Sequence, residues 1–300
     1  ATCYESHLRY PTTVKLLWEC VDWLYGRMKT IAGELGKPLP RTKYLKWKNR
    51  YVGYSKMRRK TRKKRKAITR SLLLLLDKLN TEMDRLEVGI SHQLSTTHHR
   101  RRATAKKVFQ QQDAYFHKGK KPKDRIVSLD RPYIRPIVRG KEIKPVEFGA
   151  KVNKLQIDGI SFIEHLSFDV FHEGNRLIDT IFKAQRLVKT KIKLVGADAI
   201  YATNKNRKFL TTNNIRTDFK RKGKPGKHEQ QRRKLAGAIT KERASRLEGS
   251  FGKDKEHYRL KRVRARTKAT EILWIFFGIH TGNALEAGRR ISLDRLQQAA

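Results

Sequence analysis

Two carboxylates stand in settings suited to metal-assisted chemistry on phosphodiesters. Asp198 closes the stretch Lys191-Ile192-Lys193-Leu194-Val195-Gly196-Ala197-Asp198, in which Ile192, Leu194 and Gly196 alternate with Lys191, Lys193 and Val195. That alternation predicts a short strand, with Asp198 at its carboxyl end, where open α/β sheets place their ligands. Glu248 lies in the run Thr240 to Gly252, whose composition predicts a helix. A cation facing charge that grows on phosphate oxygens needs hard oxygen ligands, so Asp198 and Glu248 are expected to hold Mg²⁺, with Mn²⁺ as the alternative.

The residues around Glu248 extend that expectation. Gly249 and Gly252 follow it closely, and each glycine inside a helix costs about 1 kcal/mol relative to alanine. Two of them beside an acid suggest that something bulky approaches this surface. Lys255 lies seven residues on, two helical turns away and on nearly the same face, placed to meet a phosphate. Spacing alone leaves the ordinary reading open, in which Asp198 is a cap and Glu248 a surface charge.

The rest of the chain suits a polyanionic partner. Its 300 residues carry 71 Lys and Arg against 28 Asp and Glu, a formal net charge of +43. Such a charge opposes compaction and is not needed for folding, so nucleic acid is the expected partner. No long apolar span, amphipathic anchor or lipidation site points to a membrane. Cys3 and Cys20 have no C-x-x-C partner and read as free, reduced thiols of a cytosolic protein.

The elements that must position the acids follow from the apolar spacing. Residues 11–28 form an amphipathic helix through Val14, Leu17, Trp18, Val21, Leu24, Tyr25 and Met28, ended by Gly33, Gly36, Pro38 and Pro40. From Arg41 to Arg70 there are fifteen Lys or Arg and no acid, with Tyr44, Trp47, Tyr51 and Tyr54 interleaved. A solvated helix face mixes signs, so Arg58, Arg59, Arg62, Lys63 and Arg65 are expected to contact phosphate. Helices are also predicted from Ser71 to about Ile90 and from Ala103 to Phe116. His92, His98 and His99, with no Cys or acid cluster beside them, are expected to face solvent or DNA.

After Lys118-Gly119-Lys120-Lys121-Pro122 the pattern changes. Val146, Phe148, Ala150 and Val152 predict a strand, Asp158-Gly159 a two-residue turn, and Ile160 to Phe168 the return strand. Glu173 to Lys189 predicts a helix, Asn204 to Thr212 a short helix, Ile215 to Phe219 an edge strand, and 272–279 a core helix. Glu164, Asp169 and Glu173 read as structural, Glu173 also as an acid at a helix N-terminus.

Several stretches resemble the DDE-type transposases of bacterial insertion sequences: Arg135-Pro136-Ile137-Val138-Arg139-Gly140-Lys141, Pro145 to Lys151, Ala197-Asp198-Ala199-Ile200-Tyr201, Glu248 to Gly252, and Thr270 to Gly278. The resemblance runs in order over essentially the whole chain. It implies an α/β, RNase H-like catalytic domain with a mixed sheet flanked by helices and an Asp-Asp-Glu triad binding two Mg²⁺ ions. Asp198 matches the second acid, Glu248 the third, and Lys255 the lysine of the Y-R-E-K signature. The signature's arginine belongs at a place held here by Ala244, and Arg243 stands one position off.

The first acid of such proteins would fall immediately before Ala1. The expectation is therefore a fragment that binds DNA and cleaves poorly. Residues 1–10 become the end of the first catalytic strand, 11–120 a basic helical insertion between the first and second strands, 121–290 the catalytic core and 291–300 a tail. Arg135, Arg139, Lys141, Lys151, Arg207, Lys220, Arg221, Lys222 and Lys224 join the basic run as phosphate contacts. The resemblance implies a homodimer on paired terminal repeats of DNA, and a cytoplasmic, nucleoid-associated bacterial protein. The alternatives are a decayed or domesticated DNA-binding protein without catalysis, and a general RNase H-like nuclease.

Overall fold

A computed structural model of the protein describes residues 1–138 and 145–298. The chain forms two compact units, one of Leu8–Arg135 and one of Ala1–His7 with Pro136 onward.

The Leu8–Arg135 unit is helical: α1 (Thr13–Glu34), α2 (Tyr44–Lys56), α3 (Arg62–Glu87) and α4 (Thr96–Lys118). Thr12, Thr61 and Ser95 cap α1, α3 and α4, each accepting an N–H three residues on, which satisfies a donor that the first turn would otherwise leave open. The apolar face of α1 (Leu17, Val21, Leu24, Met28) and that of α3 (Leu72, Leu76, Leu79, Met83) are fully buried in one core. The unit runs to Arg135, beyond the boundary at 120 expected from the change in texture.

The aromatic residues of α2 belong to this core. Trp18 stacks on Tyr44 and Tyr51 with centroids 5.6 and 4.7 Å apart, and the Tyr44 hydroxyl donates to Asp22 at 2.5 Å. His98 is buried too, with Nε2 2.6 Å from Glu87 Oε1 and its ring against Trp23. The expectation that it faces solvent or DNA is corrected: a ring on the inner side of α4 finds an acid there instead.

The other unit is mixed α/β. β1 (Thr2–Ser6) lies between β3 (Val146–Ile157), to which it runs antiparallel, and β7 (Arg262–Val263), to which it runs parallel. β2 (Pro136–Val138) and β4 (Ile160–Ser167) also pair with β3, both antiparallel. Asp158 and Gly159, with φ of 44° and 78°, make the β3–β4 turn at the expected residues. Gly149 is required where β1 crosses β3, because a Cβ there would stand 2.1 Å from the Tyr4 carbonyl oxygen.

After β4 come a 3₁₀ turn (Glu173–Arg176), α5 (Leu177–Val188), β5 (Leu194–Val195), α6 (Asn204–Thr212) and β6 (Arg216–Thr217), which pairs parallel with β5. Leu177, Ile181, Tyr201, Leu210, Ile215 and Phe219 bury one another here. The remaining elements are α7 (Glu229–Glu242), a π-helical turn (Arg243–Glu248), α8 (Gly249–Glu256) and α9 (Lys268–Gln298). The helix expected at 272–279 is thus far longer and runs on through residues 291–298. No helix among the described residues is long and apolar enough to cross a membrane, and Cys3 and Cys20 are buried thiols.

Candidate functional site

The strand leading to Asp198 is held against the helix leading to Glu248. β5 is only two residues long, so Gly196 and Ala197 lie past it as irregular chain. A Cβ on Gly196 would come 2.8 Å from Cγ2 of Ile239 on α7, so this glycine is what lets the two elements approach. Asp198 is exposed and caps the short turn Ala199–Tyr201, its Oδ1 accepting the Ala199 N–H at 2.7 Å.

Asp218, just after β6, links the two elements. Its side chain is 4% exposed; Oδ1 accepts the Ala197 N–H at 3.2 Å and Oδ2 pairs with Arg243 Nε at 3.3 Å. Arg243 Nη1 in turn donates to Glu248 Oε1 at 2.8 Å. The residue before Asp198 is therefore joined to Glu248 through a carboxylate and a guanidinium.

The π turn makes this link possible. Its i→i+5 bonds take one more residue into the turn, which brings Arg243 over Glu248. In an uninterrupted α-helix Ala244 would stand there. The one-place displacement of the arginine seen in the sequence thus has a structural counterpart. Nothing lies within 4 Å of a Cβ built on Gly249 or Gly252, so neither glycine answers to packing within the protein. Lys255 follows on α8, half-buried.

On the other side of Asp198, Tyr201 donates its hydroxyl to Asn153 Oδ1 at 2.6 Å. Burial pushes the Tyr201 phenol well up, and the charges of Glu173, Glu164 and Asp198 add to the shift. Glu173 also lies against the amino end of β1, with Oε2 3.3 Å from the Ala1 nitrogen. Burial raises the Glu173 carboxyl, but the Ala1 amino group and Lys151 outweigh it and hold it below the usual carboxylate range. Glu173 is thus held between the two cations at the amino end of β1 and on β3.

As donors, Asp198 and Glu248 suit a hard divalent cation: both are exposed carboxylates, each with one oxygen engaged by the protein. Among the described residues no group of three His, Cys, Asp or Glu forms a ready-made metal site. Mg²⁺ is commonly held by one or two carboxylates completed by phosphate oxygens and water, so a pair fits such an ion only with substrate present. A cavity of about 660 Å³ adjoins the Glu248 turn, bounded by Arg246, Gly249 and Ser250 together with the Asp158 turn and α9, and neither acid lines it.

The expected phosphate contacts divide. Arg58, Arg59, Arg62, Lys63 and Arg65 are exposed. Lys220 and Lys224 are exposed in the loop after β6, where Lys222 donates to Asn204 and Arg221 lies 3.7 Å from Glu229. Arg207 stacks over Phe219 and donates to the Ala202 carbonyl. Arg135 is half-buried and turned onto its own loop, donating to the Pro132 and Ile134 carbonyls. Lys151 is corrected outright: it is buried, pairs with Glu173 at 2.9 Å and donates to the Phe171 carbonyl, since its place opposite Cys3 on β3 turns it inward. Arg139 and Lys141 lie outside the described residues.

One buried cluster escaped the sequence reading. Asp254 on α8 accepts the Tyr4 hydroxyl at 2.5 Å and pairs with Lys154 at 2.6 Å, and the Lys154 ammonium also sits 4.4 Å from the Phe251 ring centroid. These residues fasten α8 to β1 and β3 and so fix the helix that carries Lys255. Partners 250 positions apart leave no periodic trace in the sequence.

Residues 195–278 match the family model of the transposase DDE domain. The matched stretch begins in β5, takes in Asp198, Asp218, Arg243, Glu248 and Lys255, and ends in α9. Transposases of that family are enzymes that bind DNA and typically use a divalent metal. No curated protein and no solved structure matches the chain.

Proposed function

We propose that this chain, whose residues 195–278 are a transposase DDE domain, is the transposase of a bacterial insertion sequence, cleaving DNA at the element's ends and joining the freed ends to a target. The observation that carries the reading is the tie from the end of β5 through Asp218 and Arg243 to Glu248. The residue before Asp198 is joined through Asp218 and Arg243 to Glu248, far along the chain, which supports a catalytic centre shared by the two acids. The mixed sheet is read as RNase H-like, with the helical unit inserted between its first and second strands.

Asp198 and Glu248 are the residues that would hold Mg²⁺ or Mn²⁺. When bound, such an ion supplies electrostatic stabilisation of the charge that builds on the phosphate oxygens. The chain's own groups do the positioning. Arg243 fixes the Glu248 carboxylate from one side and leaves its second oxygen toward solvent. Asp198 is fixed in the same way by the Ala199 N–H. The bare surface at Gly249 and Gly252 admits the DNA backbone close to Glu248, with Lys255 two turns further to meet the adjacent phosphate. Lys220, Arg221, Lys222 and Lys224 flank the strand being cut. In cleavage a water oxygen bonds to phosphorus as the 3′ oxygen leaves, and in joining that 3′ hydroxyl displaces a target oxygen in the same manner. Paired ends call for a homodimer.

The test is nicking of supercoiled plasmid in Mg²⁺ by the parent chain and by its Asp198→Ala and Glu248→Ala variants. Nicking is expected in the parent and is expected to be lost in both variants. No nicking by the parent, or nicking untouched by either substitution, defeats the proposal.

A further inference from the structure

The first turns of α3 stand apart from the core that holds the rest of that helix. Burial begins at Ile68, and every residue from Arg62 to Ala67 is exposed, whichever way it faces around the helix. The core therefore grips α3 only from its second turn on, and about six residues project as a free helical end. Arg58, Arg59 and Lys60 lead into it, all exposed.

This end is electrostatically frustrated. From Arg58 to Lys66 every residue but Thr61 is Lys or Arg. Among the described residues none of them makes an ion pair, and Lys60 spends its ammonium on the Met57 carbonyl and the Tyr54 ring. Arg62 repels Arg65 and Lys66 at i+3 and i+4. Four cations in the opening turn also oppose the helix dipole, which favours anions there. Only the Thr61 cap works in the helix's favour. A polyanion would relieve both repulsions at once.

The shape and composition of the end select among polyanions. Tyr44, Tyr51 and Tyr54 on α2 are buried, so they offer no stacking platform of the kind that binds single strands. No large apolar side chain is exposed between Arg58 and Lys66, so nothing would insert into a membrane. A free helix about 10–12 Å across fits the major groove of B-DNA, about 12 Å wide, and is shut out of the deep, narrow major groove of duplex RNA. We propose that the projecting end of α3 enters the major groove of double-stranded DNA, with Arg58, Arg59, Arg62, Lys63, Arg65 and Lys66 on the flanking phosphates. This inference rests on the DNA-processing reading above and assigns the helical unit its own grip on the duplex, separate from the acids.

The test compares the full chain with its R62Q/K63Q/R65Q/K66Q variant on a 20-base-pair DNA duplex across a salt series. Each lost phosphate contact lowers the slope of log K against log salt by about 0.9. The variant is expected to lose up to about 3.6 from that slope and roughly tenfold to a thousandfold in affinity near 0.15 M salt. The charge-conserving R62K/K63R/R65K/K66R variant should retain both, which separates charge from folding, and circular dichroism should show equal helix content in all three. The intact chain should protect guanine N7 in the major groove from methylation, and should bind duplex RNA, single-stranded DNA and anionic vesicles more weakly than duplex DNA. An unchanged slope in the glutamine variant, unprotected N7, or equal binding to RNA or vesicles overturns the assignment. Failure of the intact chain to bind any DNA would instead remove the DNA reading of the whole protein.

Discussion

Replacing Asp254 by alanine tests what holds the acid-bearing helix to the sheet. The Lys154 side chain is 0% exposed and that of Asp254 5%, so the ammonium has no water to turn to once the carboxylate is gone. Burial already pulls the Lys154 amine below its ordinary range, against the pull of Asp254. Breaking a buried pair by removing one partner costs about 3–5 kcal/mol, and the Tyr4 hydroxyl loses its acceptor as well. Against a domain stability of about 5–15 kcal/mol that is a large share. With a urea slope of about 1–3 kcal/mol per molar, the midpoint for this unit should fall by roughly 1–5 M. The Asp254→Leu, Lys154→Met pair, which removes both charges, should be far milder, because an apolar substitute for a buried pair is often neutral or better. Hydrogen exchange in peptides from β1, β3 and α8 gives the same answer locally. If Asp254→Ala lies within about 1 kcal/mol of the parent, or is milder than the double variant, Lys154 is hydrated in solution and the reasoning is wrong.

Further outcomes follow from the same geometry. Asp218→Ala should speed hydrogen exchange at the Ala197 amide by roughly 10–100-fold, the protection due to a bond to a charged acceptor; an unchanged rate would mean the tie between β5 and Arg243 does not exist. Gly149→Ala should unfold the β1–β3 pairing, since its Cβ would meet the Tyr4 and Glu5 backbone at 2.1 and 2.8 Å; retention of native circular dichroism and melting temperature would contradict that register. Hydrogen bonds from Arg289 and Arg290 lower the Glu286 carboxyl to about 2. Because this folded value lies below the unfolded one, the contribution is present above the unfolded pKa and is lost as pH falls through about 2. Carboxyl NMR should follow Glu286 titrating there, and a midpoint near the ordinary glutamate value would disprove the pairing.

Where a choice was local, the sequence carried it. Asp158-Gly159 marked the hairpin turn because only such residues accept two successive positive φ values, and 204–212 emerged as α6 with Thr203 as its cap. The strand before Asp198 was legible in kind, yet Gly196 and Ala197 fall outside β5 because they are held by α7 and Asp218 rather than by a neighbouring strand. What failed was everything set by distant partners. Lys151 looked like any other basic residue until Glu173 claimed it, and nothing in their spacing told that Tyr44 and Tyr51, interleaved with the basic run, would stack on Trp18. The π turn, too, is invisible to spacing rules, though the misplaced Arg243 was its trace.

The most direct measurement asks whether one cation touches both acids. Fe²⁺ substituted for Mg²⁺, with ascorbate and peroxide, cuts the polypeptide wherever it is bound. With a DNA duplex present, the account predicts paired cuts near Asp198 and near Glu248, both suppressed by excess Mg²⁺ and both lost in Asp198→Ala and in Glu248→Ala. Cuts at only one of the two sites, or cuts that survive either substitution, would show that the carboxylates do not share an ion.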